Sequence, residues 1–351
     1  MHILLIRFSS MGDVVLQTAT VNWLRSLFGP ALRLTFVTSS EFSSLLDSHP
    51  GINKVLTFNR RGDESWNQFI KKMKHSNEEN PFDLILDLHG TLRSFRLKMS
   101  FWTTPALSID KRRWERFALT KLKGVFLKQL IKTKLFGLEN QVERIINDLE
   151  SLFQDSRGVR RTKDSVQGAH DEMTSLSSLP DYSMNGPYLV LAPSASFAPK
   201  RWPIQHFVEL AKKLLENTSF KIVILAGPED KFCDAFGSIE SDRMFNLQGK
   251  TTLKESMSIL SRALLCVGND SGMNHIAEAY GVPCLTIFGP TDPRFGFAPH
   301  GSSSKYLSKE LWCKPCSTTG SRPCSRERLF CMEEISVNEV FTTIQEMGVK
   351  P

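Results

Sequence analysis

The sequence lacks several features that would each point to a different class of protein. It contains no run of eighteen apolar residues and no charged-then-apolar leader, which argues against a membrane-spanning helix and a secretory signal. It contains no internal repeat of fixed period. No Gly-x-Gly-x-x-Gly motif follows either of the two opening strands predicted below, which disfavours a nicotinamide-dependent enzyme. We therefore expect a cytoplasmic globular protein.

The length and the charge narrow the possibilities further. A chain of 351 residues is longer than a single hydrophobic core usually supports, which predicts two domains. The net charge is +7, and the excess lies entirely in the first half: residues 1–180 hold 26 Lys and Arg against 19 Asp and Glu, and the remainder holds 18 of each kind. Such a field favours an anionic partner, namely nucleic acid, an acidic lipid surface or a phosphorylated saccharide.

Strand and helix signals alternate in both halves of the chain. The strands predicted in the first half cover 3–8, 32–38, 54–58, 83–88 and 106–109, and those in the second cover 188–191, 221–226, 264–267 and 284–288. Intervening helices of this length imply parallel, doubly wound sheets, so we predict two Rossmann-like α/β domains that face each other across a cleft. The predicted divisions are an N-terminal domain (1–153), a polar linker or insertion (154–186), a C-terminal domain (187–335) and a final helical segment (336–351) that packs back on the first domain.

The chain places a carboxylate directly after its first strand. An apolar run ends at Ser9, Ser10 and Gly12, and Asp13 then opens an amphipathic helix that closes at 29–30. The carboxyl edge of an open α/β sheet is where ligands bind, so Asp13 is a candidate site residue. The alternative is that Asp13 only caps the helix.

Two features of the second half predict an anion site. A strand ends in the tight turn 269–272, and a helix begins there with free backbone amides suited to a diphosphate. A second glycine-rich turn, 288–293, follows the next strand. Lys200 lies between a strand and a helix, where it would neutralise a leaving phosphate; the alternative is a solvated loop lysine.

Five short motifs occur in an order that resembles a known family. They are Ser9-Ser10-Met11-Gly12-Asp13, Asp87-Leu88-His89-Gly90 with Arg93-Ser94, Lys200-x-Trp202-Pro203, Asn269-Asp270-Ser271-Gly272-x-x-His275 and Gly289-Pro290-Thr291-Asp292-Pro293. Together they are similar to glycosyltransferase family 9, the ADP-heptose:lipopolysaccharide heptosyltransferases, from residue 1 to about residue 345. The resemblance implies a fold of the glycosyltransferase B type, with the acceptor on the N-terminal domain and the nucleotide-sugar on the C-terminal domain.

The resemblance also implies a reaction and its residues. Heptose would pass from ADP-heptose to an acidic, lipid-linked saccharide of the lipopolysaccharide inner core, with inversion and without a metal ion or other required cofactor. Asp13 would be the general base, Lys200 would contact the diphosphate, Asp270 would contact the donor and Glu229 would hold the ribose. The expected donor-binding residues are Ser194, Lys200, Glu229, Asp270, Ser271, Gly272, Met273 and His275.

The acceptor is expected to meet the basic first half. Arg60 and Arg61 follow one strand, and Arg93 and Arg96 begin a helix at the same sheet edge, where guanidinium groups pair with phosphates and carboxylates. Solvated surface arginines are the alternative. The expected acceptor-binding residues are Ser10, Gly12, Arg60, Arg61, His89 and Arg93.

Two further segments have an open interpretation. The stretch 111–138 mixes Lys and Arg with large apolar residues, which suits either a basic amphipathic helix on the inner face of an anionic bilayer or an ordinary core helix. Cys313, Cys316, Cys324 and Cys331 have the spacing of a structural tetrathiolate zinc site; buried thiols or a labile disulfide are the alternatives.

Two other functions remain open at this stage. The same fold could use another nucleotide-sugar donor, because few residues contact the sugar. The basic half could instead belong to a non-catalytic nucleotide- or nucleic-acid-binding protein, although aromatic residues alternate with basic ones in a stacking pattern only at 111–126. We expect no nucleic-acid partner.

Overall fold

The computed structural model describes residues 1–47, 49–109, 120 and 186–349. The described residues fall into two compact units, 1–109 and 186–349. The basic stretch 111–138 and the linker 154–186 lie outside the described residues, apart from 120 and 186, so the predictions made for them are untested. Among the described residues, no helix combines the length and the apolar character needed to cross a bilayer.

The first unit is a five-stranded parallel sheet with helices between its strands. Its strands are β1 (His2–Ile6), β2 (Arg33–Ser39), β3 (Lys54–Phe58), β4 (Leu84–Asp87) and β5 (Ala106–Ser108). Its helices are α1 (Met11–Phe28), α2 (Trp66–Glu79) and α3 (Leu92–Met99), with a 3-10 helix at Ser40–Leu45. All five residues of β1 are buried, as expected for a central strand covered on both faces.

The second unit repeats this architecture with six parallel strands. Its strands are β6 (Tyr188–Ala192), β7 (Lys221–Ile224), β8 (Met244–Asn246), β9 (Leu265–Asn269), β10 (Cys284–Phe288) and β11 (Lys305–Ser308). Its helices are α4 (Ile204–Asn217), α5 (Leu253–Ser261), α6 (Gly272–Ala279), α7 (Phe330–Glu333) and α8 (Val337–Glu346), with 3-10 helices at Ala198–Lys200, Lys231–Ser238 and Pro293–Phe295.

The strand order locates the ligand-binding edge of each sheet. The orders are β3-β2-β1-β4-β5 and β11-β10-β9-β6-β7-β8, so the direction of winding reverses between β1 and β4 and between β6 and β9. Ligands of open α/β sheets bind beyond the carboxyl ends of the strands at such a switch point. The loops that follow β1, β4, β6 and β9 carry four of the five motifs found in the sequence.

The structure differs from the sequence prediction at several boundaries. Strand β1 ends at Ile6, two residues early, and α1 begins at Met11 with Ser10 as its N-cap, so Asp13 is the third helical residue. The edge strands β8 and β11 were not predicted, because they are short and half-exposed and therefore lack a continuous apolar run. The helix expected between β7 and β8 is the 3-10 helix Lys231–Ser238.

The final helix belongs to the core of the second unit. Val337, Val340, Phe341 and Ile344 of α8 lie in the same buried cluster as Phe207 and Leu214 of α4. That this segment packs back on the N-terminal domain stays a prediction.

Candidate functional site

Asp13 lies beyond the carboxyl end of β1 with its side chain only 16% exposed. Its Oδ2 atom accepts a hydrogen bond of 2.9 Å from the Ser10 hydroxyl and one of 3.2 Å from the Ser10 backbone amide. Asp13 therefore completes the capping box of α1 with Ser10 and is also the candidate base. Gly12, between the two, is buried, whereas Ser10 is exposed.

Arg7 is the partner of Asp13 that the sequence analysis missed. Its Nη2 atom lies 2.5 Å from Asp13 Oδ2, its side chain is almost fully buried, and its Nη1 atom donates to the carbonyl oxygen of Leu88 at the end of β4. Arg7 thus connects the loops that follow β1 and β4. A buried arginine at the end of an apolar strand was a signal for a carboxylate partner, because a buried cation needs one.

The surroundings of Asp13 favour its ionised form. Burial by itself would raise the pKa of the carboxyl group, but the Arg7 guanidinium and the hydrogen bonds from Ser10 outweigh it and hold the pKa below its ordinary value. All three polar contacts use Oδ2, and no hydrogen bond to Oδ1 is found within the described part of the chain. The Oδ1 atom is therefore available to a ligand.

The loop after β4 is built around Asp87, which is buried. Its Oδ1 atom accepts from the backbone amides of His89 and Gly90 at 3.0 and 2.8 Å, and its Oδ2 atom accepts from the Ser94 hydroxyl at 3.0 Å. Nδ1 of His89 accepts from the backbone amide of Phe8 at 3.2 Å. This half-buried histidine thus stands beside the loop of Asp13, at the predicted acceptor edge.

One of the predicted acceptor arginines, Arg93, meets an aromatic cluster. The guanidinium of Arg93 lies 5.8 Å from the ring centre of Phe58 and 6.0 Å from that of Trp66. Burial and the nearby charge of Arg60 lower the pKa of Arg93. Arg60 and Arg61 are both exposed in the loop after β3. The positive charge of Arg60 thus acts on Arg93, and an anionic ligand would offset that repulsion.

In the second unit, Lys200 and Asp270 form a buried ion pair. Lys200 Nζ lies 2.7 Å from Asp270 Oδ2, and their side chains are 15% and 6% exposed. The hydroxyl of Thr291, from the turn after β10, donates to the same oxygen at 2.8 Å. Residues from the ends of β6, β9 and β10 thus meet at one point of the sheet edge.

Asn269 holds in place the segment that carries Lys200. Its Nδ2 atom donates to the carbonyl oxygen of Pro193 at 2.6 Å, and its Oδ1 atom accepts from the backbone amide of Trp202 at 2.9 Å. The indole of Trp202 is buried and donates to the carbonyl oxygen of Ile335 at 2.8 Å. This network explains why the tryptophan and the asparagine accompany Lys200 and Asp270.

Helix α6 begins next to this ion pair. Ser271 is its N-cap, and the first backbone amides of a helix, here Ser271, Gly272 and Met273, have no carbonyl partner within the helix. The Ser271 hydroxyl oxygen is buried without a hydrogen-bond partner among the described residues. His275, one turn on, is buried with its ring centre 6.2 Å from that of Phe297. Lys200 and the amides together form a positively polarised site for an anion.

The turn after β7 presents two acidic residues, only one of which makes hydrogen bonds or ion pairs among the described residues. Asp230 Oδ2 accepts from the Ser194 hydroxyl at 2.6 Å and from the Gly227 amide at 2.9 Å, and Arg201 lies 3.7 Å from Oδ1. Glu229 is exposed on the same turn. Asp230, which the sequence analysis did not select, therefore holds Ser194 in position, and the ribose-binding role of Glu229 stays a prediction.

A segment late in the chain also reaches this site. The backbone amides of Cys316 and Ser317 donate to the carbonyl oxygen of Pro290 at 3.1 and 3.4 Å. Gly320, a few residues on, packs against the methylene groups of Lys200. No sequence motif connected Gly320 with Lys200, since the two lie 120 positions apart.

The four late cysteines all line one pocket, together with residues that include Pro199 and Pro290. Each is a free thiol. Within the described ranges, no three His, Cys, Asp or Glu side chains stand in an arrangement that could hold a metal ion. The zinc site stays a prediction from spacing.

Comparisons with known proteins agree with the motifs. A model of glycosyltransferase family 9 (heptosyltransferase) matches residues 70–324. The chain is 24% identical to lipopolysaccharide heptosyltransferase 1 of Pseudomonas aeruginosa over 377 aligned positions, which cover 100% of this chain and 99% of that one.

Solved structures share the fold. An Escherichia coli heptosyltransferase determined with ADP superposes with a TM-score of 0.67 at 19% identity, covering 99% of this chain and 100% of that one. A glycosyltransferase family 9 protein from Veillonella parvula superposes with a TM-score of 0.70 at 18% identity, covering 99% and 96%. These similarities confirm the predicted pair of α/β domains of the glycosyltransferase B type.

Proposed function

Because the chain belongs to glycosyltransferase family 9, we propose that it transfers heptose from ADP-heptose to an acidic, lipid-linked saccharide of the lipopolysaccharide inner core. The chain is a glycosyltransferase by family. Its full-length similarity to a lipopolysaccharide heptosyltransferase supports the sugar and the acceptor, and its fold similarity to a heptosyltransferase determined with ADP supports the nucleotide.

The environment of Asp13 is the observation that carries the mechanism. A direct displacement with inversion needs a carboxylate that takes the proton of the acceptor hydroxyl as the new bond forms, which is typically worth about 10²–10⁴-fold in rate. Asp13 is ionised, is fixed through Oδ2 by Arg7 and Ser10, and keeps Oδ1 for that hydroxyl.

The donor side stabilises the departing diphosphate. Negative charge on ADP grows as the glycosidic bond breaks, and preorganised cations and amide dipoles stabilise that charge. Lys200 and the amides of Ser271, Gly272 and Met273 supply them in this proposal, so the reaction needs no metal ion. Asp270 holds Lys200 at 2.7 Å before the donor binds, and Ser194, Glu229 and His275 are assigned to the rest of the nucleotide-sugar.

The acceptor side binds negative charge. Arg60, Arg61 and Arg93 are the cations proposed to meet phosphates or carboxylates of the saccharide, and His89 is proposed to contact its hydroxyl groups. A lipid-linked acceptor requires a protein that works at a membrane surface. We place this protein in the cytoplasm, at the inner face of the inner membrane.

The proposal is tested with purified protein, ADP-heptose and an acyl-free inner-core acceptor. Asp13→Asn should lower the rate of ADP release by about 10²–10⁴-fold while the Kd for ADP stays within about twofold. Asp63→Asn, which changes an exposed carboxylate of the same unit, is the matched control and should leave both unchanged. Equal loss of rate and ADP binding in Asp13→Asn would make Asp13 a structural cap.

The nucleotide is tested separately by thermal shift. ADP should raise the melting temperature, whereas UDP and GDP should not, since binding to the folded state alone stabilises it. Stabilisation by UDP or GDP in place of ADP would assign another nucleotide-sugar donor to the same fold.

A further inference from the structure

Helix α3 and the turn after it expose four large apolar side chains. Leu92, Phe95, Met99 and Trp102 have exposed fractions between 49% and 81%. Their spacing of three, four and three residues matches the 3.6-residue turn of a helix, so those on α3 form one stripe. The opposite side of the helix is buried through Ser94 and Leu97. An exposed contiguous apolar stripe marks an interaction surface.

The charged residues of α3 and of the chain segments next to it all have one sign. From 88 to 109 the chain contains no Asp or Glu, while Arg93, Arg96 and Lys98 flank the stripe on α3. Lys98 Nζ lies 5.6 Å from the ring centre of Phe95 and donates to the Ser108 hydroxyl at 2.6 Å. Apolar side chains bordered by cations are typical of surfaces that lie in the interface of an anionic bilayer.

We propose that this surface, formed by Leu92, Phe95, Met99 and Trp102 with Arg96 and Lys98, is the docking surface for an anionic lipid bilayer. The apolar side chains enter the boundary between headgroups and acyl chains, and the cations meet the lipid phosphates. The inference deepens the proposed function, because it names how the enzyme reaches a lipid-linked acceptor. The membrane contact predicted for the stretch 111–138 is a separate hypothesis, because that stretch lies outside the described residues apart from 120.

The position of the docking surface suits that role. Arg93, a residue of the proposed acceptor site, lies on the same helix and packs over the rings of Phe58 and Trp66. Ser94, one residue on, donates to Asp87 at the end of β4. One side of α3 therefore builds the acceptor site while another side contacts the membrane, so a docked enzyme holds its acceptor site at the surface where a lipid-linked saccharide is anchored.

Vesicle flotation measures the binding directly. The full chain should float with vesicles of phosphatidylcholine and phosphatidylglycerol (7:3) and bind pure phosphatidylcholine vesicles at least tenfold more weakly. The variant Leu92→Ser/Phe95→Ser/Met99→Ser/Trp102→Ser should lose at least tenfold in affinity. Arg96→Gln/Lys98→Gln should lose about 30-fold, since each cation near an anionic surface contributes about fivefold.

The matched control removes exposed aromatic residues elsewhere. Tyr306→Ser/Trp312→Ser changes two exposed side chains of the second unit and should float like the wild type. Circular dichroism checks that every variant folds, which is expected because none of the altered side chains is buried. Equal flotation of the four-serine variant and the wild type, or no flotation of the wild type, would overturn the proposal. A self-association that the four-serine variant abolishes would assign the surface to a second copy of the chain and would also overturn it.

Transfer assays separate this proposal from the proposed function. With the acyl-free acceptor, the four-serine variant should release ADP at the wild-type rate; with the acceptor embedded in anionic vesicles, its rate should fall at least tenfold. If the wild type transfers to neither acceptor, the proposed function fails while flotation still decides the docking surface. If the variant is slow on the acyl-free acceptor, the surface serves the acceptor site itself and the docking proposal fails.

Discussion

The backbone of Gly320 lies directly against the side chain of Lys200. A β-carbon at position 320 would overlap Cγ and Cδ of the lysine, and the φ angle of Gly320 is +81°. Both the space and the backbone angle therefore require glycine. The loop that carries the late cysteines thus packs against the Lys200 side chain and keeps it beside Asp270.

Replacing this glycine should weaken donor binding. In Gly320→Ala the new methyl group displaces the Lys200 side chain. We therefore expect the Kd for ADP, measured by isothermal titration, to rise about tenfold, because the displaced lysine loses about half or more of the free energy of one charge-assisted hydrogen bond. Gly281→Ala is the control, because Gly281 has a similar φ of +73° and a β-carbon added there would meet no described atom within 4 Å. Both variants should lose about 1 kcal/mol in the free energy of unfolding. Equal ADP affinities in the two would show that Gly320 does not position Lys200.

The buried pair of Lys200 and Asp270 should show strong coupling. Lys200→Met leaves the Asp270 carboxylate with the Thr291 hydroxyl as its side-chain donor among the described residues, so we expect a loss of about 3 kcal/mol in the free energy of unfolding. The Kd for ADP should rise about 10- to 100-fold. Lys200→Met/Asp270→Asn should recover most of the stability, measured by urea unfolding, but none of the ADP affinity. If the double variant is as unstable as the sum of the two single changes, the pair is not coupled.

Arg7 should control the pH dependence of the reaction through Asp13. In the wild type the pKa of Asp13 lies below its ordinary value, so the base is ionised across the neutral and mildly acidic range. In Arg7→Met, burial acts without the opposing guanidinium and raises that pKa. The acid limb of kcat/KM should therefore move to higher pH, and the rate at neutral pH should fall less than in Asp13→Asn.

The same pKa shift predicts a change in stability with pH. A carboxyl whose pKa is lowered on folding stabilises the protein at pH values above its unfolded pKa, and this contribution disappears as the pH falls through its folded pKa. Arg7→Met should remove that contribution to the free energy of unfolding. Arg7→Lys, which keeps a cation, should retain part of it, and the acid limb of its kcat/KM should lie near that of the wild type. Identical acid limbs in Arg7→Met and the wild type would contradict the assignment of Arg7 as a positioning residue.

Much of the site was predictable because it follows the ends of strands. The runs that became β1, β6 and β9 are continuous and apolar, and the polar motif after each one had to lie at the carboxyl edge of a parallel sheet. The family resemblance then selected Asp13, Lys200 and Asp270 from those edges. Local sequence could not choose between Glu229 and Asp230, because neighbouring residues on a turn differ only in what they contact.

Composition and pattern alone determined the two α/β units, their parallel sheets and the motifs at their edges, because buried strands and amphipathic helices leave periodic signals in a local stretch of chain. Tertiary structure decided that Arg7 pairs with Asp13, that Asn269 holds Trp202 and that Gly320 bounds Lys200. It also decided that the apolar stripe on α3 is exposed. These relationships depend on which loops and faces the packed sheets bring together, and contacts between residues far apart in the chain leave no period in a single sequence.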